Sequence, residues 1–144
     1  ACDRVWEACS AVTAELAVKL DMAKPGFDFA KRQALYRNQN TLRILKYEPR
    51  AGMLAKEHFD RCALTFHIAE SCDGLYSING WGKHNHHTPP VPRVLCFGGE
   101  QLERVTNGRM PRLWHGVRDT TAGTEPRWAM VFFGKMSPKR MFAA

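Results

Sequence analysis

The 144-residue sequence has no apolar run approaching the ~20 residues that a membrane helix requires. It has no internal repeat and no low-complexity tract, and its composition excludes disorder, collagen-like repeats and coiled coil. No Cys-x-x-Cys occurs, and Cys2, Cys9, Cys62, Cys72 and Cys96 make an odd number. That speaks against a disulfide framework. It points to a reducing, cytoplasmic compartment in which thiols pack as small apolar side chains. The start, Ala1-Cys2-Asp3-Arg4, lacks an initiator Met and a basic-then-apolar leader, so a processed or excised chain is expected. There is no basic stripe with interleaved aromatics, so nucleic acid is not the expected partner.

What is present is ordinary for one globular domain. Apolar residues are 44% and charged residues 24%. A chain of this length buries roughly 70% of its unfolded surface, so a core forms without disulfide help. Twenty-one basic against fourteen acidic residues give a net charge of +7, which favours anionic partners.

Val5, Cys9, Val12, Leu16 and Leu20 recur at spacings of three and four. This predicts an amphipathic helix over about residues 3–23, ended by Pro25-Gly26. A short helix is expected around Ala30–Tyr36. From Thr41 the character changes to short β-rich runs: Thr41–Tyr47, Cys62–Ile68, Leu75–Ile78, Val94–Phe97, Leu113–Val117 and Trp128–Phe133. Two weaker strands are expected near Met53–Phe59 and His86–Pro92. Asn107-Gly108 suits a tight hairpin. Eight short strands behind a leading helix predict a mainly β jelly roll, or double-stranded β-helix. Residues 1–40 are then a leading helix and connector packed on a core of residues 41–144, in one structural domain. The tryptophans Trp6, Trp81, Trp114 and Trp128 read as core or pocket wall.

The chemistry concentrates in a few residues. His58-Phe59-Asp60 is a His-x-Asp, and residues two apart on an extended segment face the same way. His115 lies 55 positions after Asp60, within a strand-like run. Two imidazoles and one carboxylate can occupy one face of an octahedral iron(II) and leave the opposite face open. Arg127 opens the last strand, and a guanidinium can grip a carboxylate with two parallel bonds. His84, His86 and His87 form a tempting metal cluster, but no carboxylate or cysteine accompanies them. They read as a solvated loop. His67 reads as a packed or surface histidine.

Over residues 41–133 the sequence resembles the catalytic core of the iron(II)- and 2-oxoglutarate-dependent dioxygenases, in the branch that includes isopenicillin N synthase. The matching segments are Leu42–Tyr47 with Pro49, His58-Phe59-Asp60 with Leu64-Thr65, and Gly99–Glu103. Thr106–Arg109, Trp114–Val117 and Arg127–Phe133 complete the ordered set. The resemblance implies iron ligation by His58, Asp60 and His115, with no catalytic side chain beyond these ligands. It implies that Arg127 binds the distal carboxylate of 2-oxoglutarate and that Tyr47 contacts the same cosubstrate. The activity implied is an oxygenase. With molecular oxygen it couples 2-oxoglutarate decarboxylation to hydroxylation or other oxidation of a small organic substrate. Two positions depart from the family pattern. Ala129 stands where the closing motif has serine, and Leu45 stands where the tyrosine motif has asparagine. These departures admit a 2-oxoglutarate-independent oxidase of the isopenicillin N synthase type. A non-catalytic binding module on the same fold is the third reading.

Overall fold

A computed structural model describes residues 2–23, 25–26, 28–79, 84–86 and 94–137. The first helix, α1, spans Cys2–Ala23, with Asp3 in its first turn complementing the helix dipole. It ends before Gly26, whose φ of +85° breaks the helical path. Of the expected stripe, Cys9 is buried and Val5, Leu16 and Leu20 pack against the core, while Val12 turns away. Cys9, Ser10, Thr13 and Ala17 are buried, whereas Val12 is 46% exposed. Small side chains win that face because they let the helix approach the sheet closely. A Cβ added at Gly134 would stand 2.9 Å from Thr13 Oγ1. The hydroxyls on this face are not left unpaired: Thr13 Oγ1 donates to the Cys9 carbonyl at 2.8 Å. Helix α2, Phe29–Tyr36, begins where the Asp21 carboxylate accepts the backbone N–H groups of Phe29 and Ala30.

Among the described residues eight strands follow: β1 Thr41–Tyr47, β2 Met53–His58, β3 Leu64–Glu70, β4 Leu75–Ile78, β5 His84–His86, β6 Leu95–Gly98, β7 His115–Arg118 and β8 Arg127–Gly134. They form two antiparallel four-stranded sheets, ordered β1-β8-β3-β6 and β2-β7-β4-β5. This is the expected jelly-roll architecture.

Three local expectations are corrected. The His-Asn-His segment is strand β5, paired with β4 through Tyr76↔His86, Ser77↔Asn85 and Ile78↔His84, so its first three residues are not loop. His87 lies outside the described residues. A helix, α3, spans Glu100–Val105, too short to announce itself by periodicity. Asn107 and Gly108, both at positive φ, end that helix rather than turn a hairpin, and the Gly108 N–H donates to the Glu103 carbonyl at 2.9 Å. Finally, Trp114 and Trp128 are exposed rather than packed.

The two faces of the β1-β8-β3-β6 sheet do different work. Leu64, Phe66 and Phe132 point to the helices and join Cys9, Ala17, Phe29, Leu102, Val105 and Met136 in the hydrophobic core. Thr65, His67, Arg127, Ala129, Val131 and Phe133 alternate with them and line a cavity between the sheets. The helices therefore cover one side of the sheet and leave the other for chemistry.

The Thr13–Gly134 approach sets the helix-to-sheet spacing. Gly134→Ala is expected to destabilise the protein by about 1–3 kcal/mol through overpacking. Adding Thr13→Ala is expected to recover part of that loss, read as a positive coupling in urea unfolding of the two single variants and the double variant.

Candidate metal centre and carboxylate cavity

His58 is the last residue of β2 and His115 the first of β7, and the two are directly opposed across the ladder. A bulge produces that pairing. Ala55 opposes Val117, so an unbroken register would set Glu57 opposite His115; the extra residue brings His58 there instead. Glu57 meets Tyr76, whose hydroxyl donates to it at 2.7 Å. The imidazole centroids of His58 and His115 lie 4.4 Å apart.

Asp60 follows just beyond β2, on a segment pinned to the start of α3. The Glu100 N–H donates to the Asp60 carbonyl at 2.8 Å, and the Gln101 N–H to the Cys62 carbonyl at 3.1 Å. Only glycine fits at position 99 against this loop, since a Cβ there would stand 2.8 Å from the Asp60 carbonyl oxygen and closer still to that of Cys62. The carboxylate reaches both imidazoles, with Oδ1 3.7 Å from His58 Nε2 and Oδ2 3.8 Å from His115 Nε2. One ligand atom from each of His58, Asp60 and His115 lies within 4.8 Å of the other two.

Each donor is aimed by a further contact. His58 Nδ1 bonds the Lys56 carbonyl at 2.8 Å, and His115 Nδ1 bonds the Leu113 carbonyl at 3.1 Å. A carbonyl accepts only, so Nδ1 carries the hydrogen and Nε2 of the neutral ring presents its lone pair. Burial lowers the His115 pKa, against the opposing pull of Asp60, which favours that neutral form. The Thr65 hydroxyl donates to Asp60 Oδ2 at 2.6 Å. Cys62 is beside this group but is no thiolate: burial pushes its pKa up to about 12.

Behind these three residues a narrow cavity of about 60 Å³ runs between the sheets, lined by Tyr47, Thr65, His67, Arg127 and Ala129 among others. Arg127 is 2% exposed and sits opposite Tyr47 in the β1–β8 pairing, with its guanidinium carbon 5.6 Å from the centroid of that ring. Burial raises the Tyr47 pKa, so the phenol keeps its proton and can donate. Arg127 Nε and Nη1 are buried without a hydrogen-bond partner among the described residues. The two departures from the family pattern, Leu45 and Ala129, are themselves a directly opposed pair and line this cavity together. One stretch of wall has thus become apolar from both sides.

Two contacts around Arg127 were not announced by the sequence. Arg127 Nη2 donates to Glu70, and His67 Nε2 lies 3.0 Å from the same carboxylate oxygen. Strict alternation would point Glu70 away from His67. A bulge between His67 and Ala69 shifts the phase, so that Glu70 opposes Ala129 and faces inward. His67 is therefore the packed rather than the surface histidine of the two expected alternatives, and it lines the cavity. A His three residues before a Glu at a strand end is the only signal the sequence carried.

The 2OG-Fe(II) oxygenase superfamily profile matches residues 37–135. The chain belongs to this superfamily. No curated protein sequence matches it. Among solved structures, a Shewanella oneidensis protein assigned as an oxygenase is similar at 20% identity and TM-score 0.78, covering 94% of this chain and 55% of that one. A full-length Neurospora crassa protein, solved with α-ketoglutarate (2-oxoglutarate), is similar at 21% identity and TM-score 0.75, covering 98% and 49%. The dioxygenase for auxin oxidation 1 of Arabidopsis thaliana, solved with 2-oxoglutarate, is similar at 20% identity and TM-score 0.73, covering 90% and 49%. The chain thus spans about half the length of these solved relatives. For this oxygenase core, iron(II), 2-oxoglutarate and molecular oxygen are the cofactor and cosubstrates of its family, and the nitrogen and oxygen donors at its candidate metal site suit ferrous iron. Among the described residues no helix is long and apolar enough to cross a membrane.

The Thr65 bond to Asp60 orients one proposed ligand. Thr65→Val, which keeps the shape and removes the donor, is expected to weaken divalent metal binding about 10- to 100-fold. Competition titration with cobalt(II) reads this directly.

Proposed function

We propose that the protein oxidises a small organic molecule with 2-oxoglutarate as cosubstrate, holding iron(II) through His58, Asp60 and His115. The observation that carries the cosubstrate assignment is the buried pair Nε and Nη1 of Arg127, without a hydrogen-bond partner among the described residues, in a cavity that opens on the three metal donors. A buried guanidinium with unmade bonds is matched by a carboxylate end. Arg127 grips that end, Tyr47 flanks the guanidinium and donates from its neutral hydroxyl, and Glu70 with His67 holds the guanidinium from behind. Iron(II) held there would, together with 2-oxoglutarate, activate molecular oxygen, the oxidant that no side chain can replace; one oxygen atom goes to succinate, released with carbon dioxide, and the other serves to oxidise the substrate. Apolar Leu45, Ala129, Val131 and Phe133 keep the cavity wall dry.

The substrate is expected to be a small molecule. The Neurospora crassa relative has been solved with thymine and with 5-formyluracil, and the Arabidopsis relative is named for auxin oxidation. The cysteines are all free, which fits a reducing compartment, and we place the protein in the cytoplasm. The oxoacid-independent oxidase and the non-catalytic module are not favoured, because they leave the Arg127 nitrogens without a role.

Three outcomes test this reading. The wild-type chain is expected to bind one iron(II), and a His58→Ala/His115→Ala variant to lose it, by metal analysis after anaerobic gel filtration. Arg127→Leu is expected to raise the apparent KM for 2-oxoglutarate more than tenfold, since truncating one partner of a buried charge pair costs about 2–5 kcal/mol. Succinate release measures it. Ala129→Ser restores a donor beside Arg127 and is expected to tighten 2-oxoglutarate by about 1 kcal/mol, or fivefold. Anaerobic titration of the iron–oxoacid absorption band reports that change.

A further inference from the structure

The three proposed metal ligands stand where two cavities meet. The narrow one leads inward to Arg127. The other, about 630 Å³, opens outward and shares His58 and Asp60 with the metal group and Leu45 and Phe133 with the narrow cavity. It is the only one of the two with room for an organic molecule larger than the cosubstrate. Its polar lining is one-sided. Arg43, Arg61 and Lys135 contribute three cations, and the single acid is Asp60, which belongs to the metal group. Among the described residues, no carboxylate lies within 4.0 Å of Arg43, Arg61 or Lys135 in an ion pair, unlike Arg104, Arg112 and Arg127. Gln101 also lines it, with its Oε1 engaged as acceptor of the Met136 N–H at 2.9 Å.

The placement of Arg43 is fixed by the strand pairing. It follows Thr41 and precedes Leu45 and Tyr47 on the inward face of β1, and its guanidinium carbon stands 5.5 Å from the Phe133 ring centroid. Phe59 and Phe133 give the cavity apolar surface alongside the cations and the metal donors.

We propose that the wide cavity binds a small organic acid as the substrate to be oxidised. The carboxylate is held by Arg43 and Lys135, with Arg61 adding to the field. The apolar body lies against Phe59 and Phe133, towards His58 and Asp60. The assignment rests on the oxygenase reading above for its chemistry, but its charge preference is a property of this chain's own side chains.

The test is a binding comparison on the anaerobic protein loaded with iron(II) and 2-oxoglutarate. Two probes of equal shape are used, 3-phenylpropionate and its uncharged amide 3-phenylpropionamide, with dissociation constants from titration calorimetry and perturbation of the iron–oxoacid band as a second readout. The acid is expected to bind at least tenfold tighter than the amide, and to perturb the band. Arg43→Gln/Lys135→Gln is expected to erase most of that preference, and each single variant part of it; circular dichroism confirms that the variants are folded. Raising the salt from 50 to 500 mM is expected to shrink the preference in wild type. Equal affinity for acid and amide, no binding of either, or a preference that survives in the folded double variant overturns the proposal. Failure of the oxygenase reading has a different signature: no iron–oxoacid band in the wild type, with the calorimetric preference for the acid intact.

Discussion

The phase of side-chain alternation is the constraint on which the rest of this structure depends. A β-strand offers its residues to two faces in turn, and one inserted residue exchanges every later side chain between them. Two such insertions govern the site. The bulge in β2 presents His58 rather than Glu57 to His115. The bulge in β3 presents Glu70 rather than Ala69 to the inner face beside Arg127. Without the first, a carboxylate would stand in the second imidazole's place. Without the second, Arg127 would lose its internal counter-ion.

The same alternation ties stability to chemistry on β8. Phe132 packs into the helix-covered core, while Arg127, Ala129, Val131 and Phe133 line the cavity. The helix α1 holds its sheet through small residues, and Thr13 rests against Gly134 at the end of that same strand. A shift of α1 therefore moves the backbone that carries Arg127. The loop bearing Asp60 is held independently, by backbone bonds to α3 and by the space at Gly99.

Much of this could be read from the residues. The bounds of β1 fall where its β-rich run places them, and β8 begins at Arg127, the residue expected to open the last strand and one position before its β-rich run. His58, Asp60 and His115 come together, and Tyr47 and Arg127 face one cavity, as the ordered motifs led one to expect. What escaped has a common cause. Periodicity assumes an unbroken register, so the inward turn of Glu70 and the role of His67 were hidden. Val12 lost its place in the buried face because close approach to a sheet selects small residues over larger apolar ones. The helix Glu100–Val105 and the strand His84–His86 are too short for any period to develop.

The Arg127–Glu70 contact has a consequence for the protein before it meets any small molecule. A solitary guanidinium at this depth would cost several kcal/mol, enough to threaten a domain of this size. With Glu70 beside it, the charge on the guanidinium is balanced within the protein itself. If Arg127 takes a carboxylate as proposed, that anion joins a cation already shared with Glu70. Its affinity then reflects the difference between two anionic partners rather than the full attraction of one. Its departure would leave the Arg127–Glu70 pair and no naked charge, so a clamp built this way would release its guest faster than one with undivided charge.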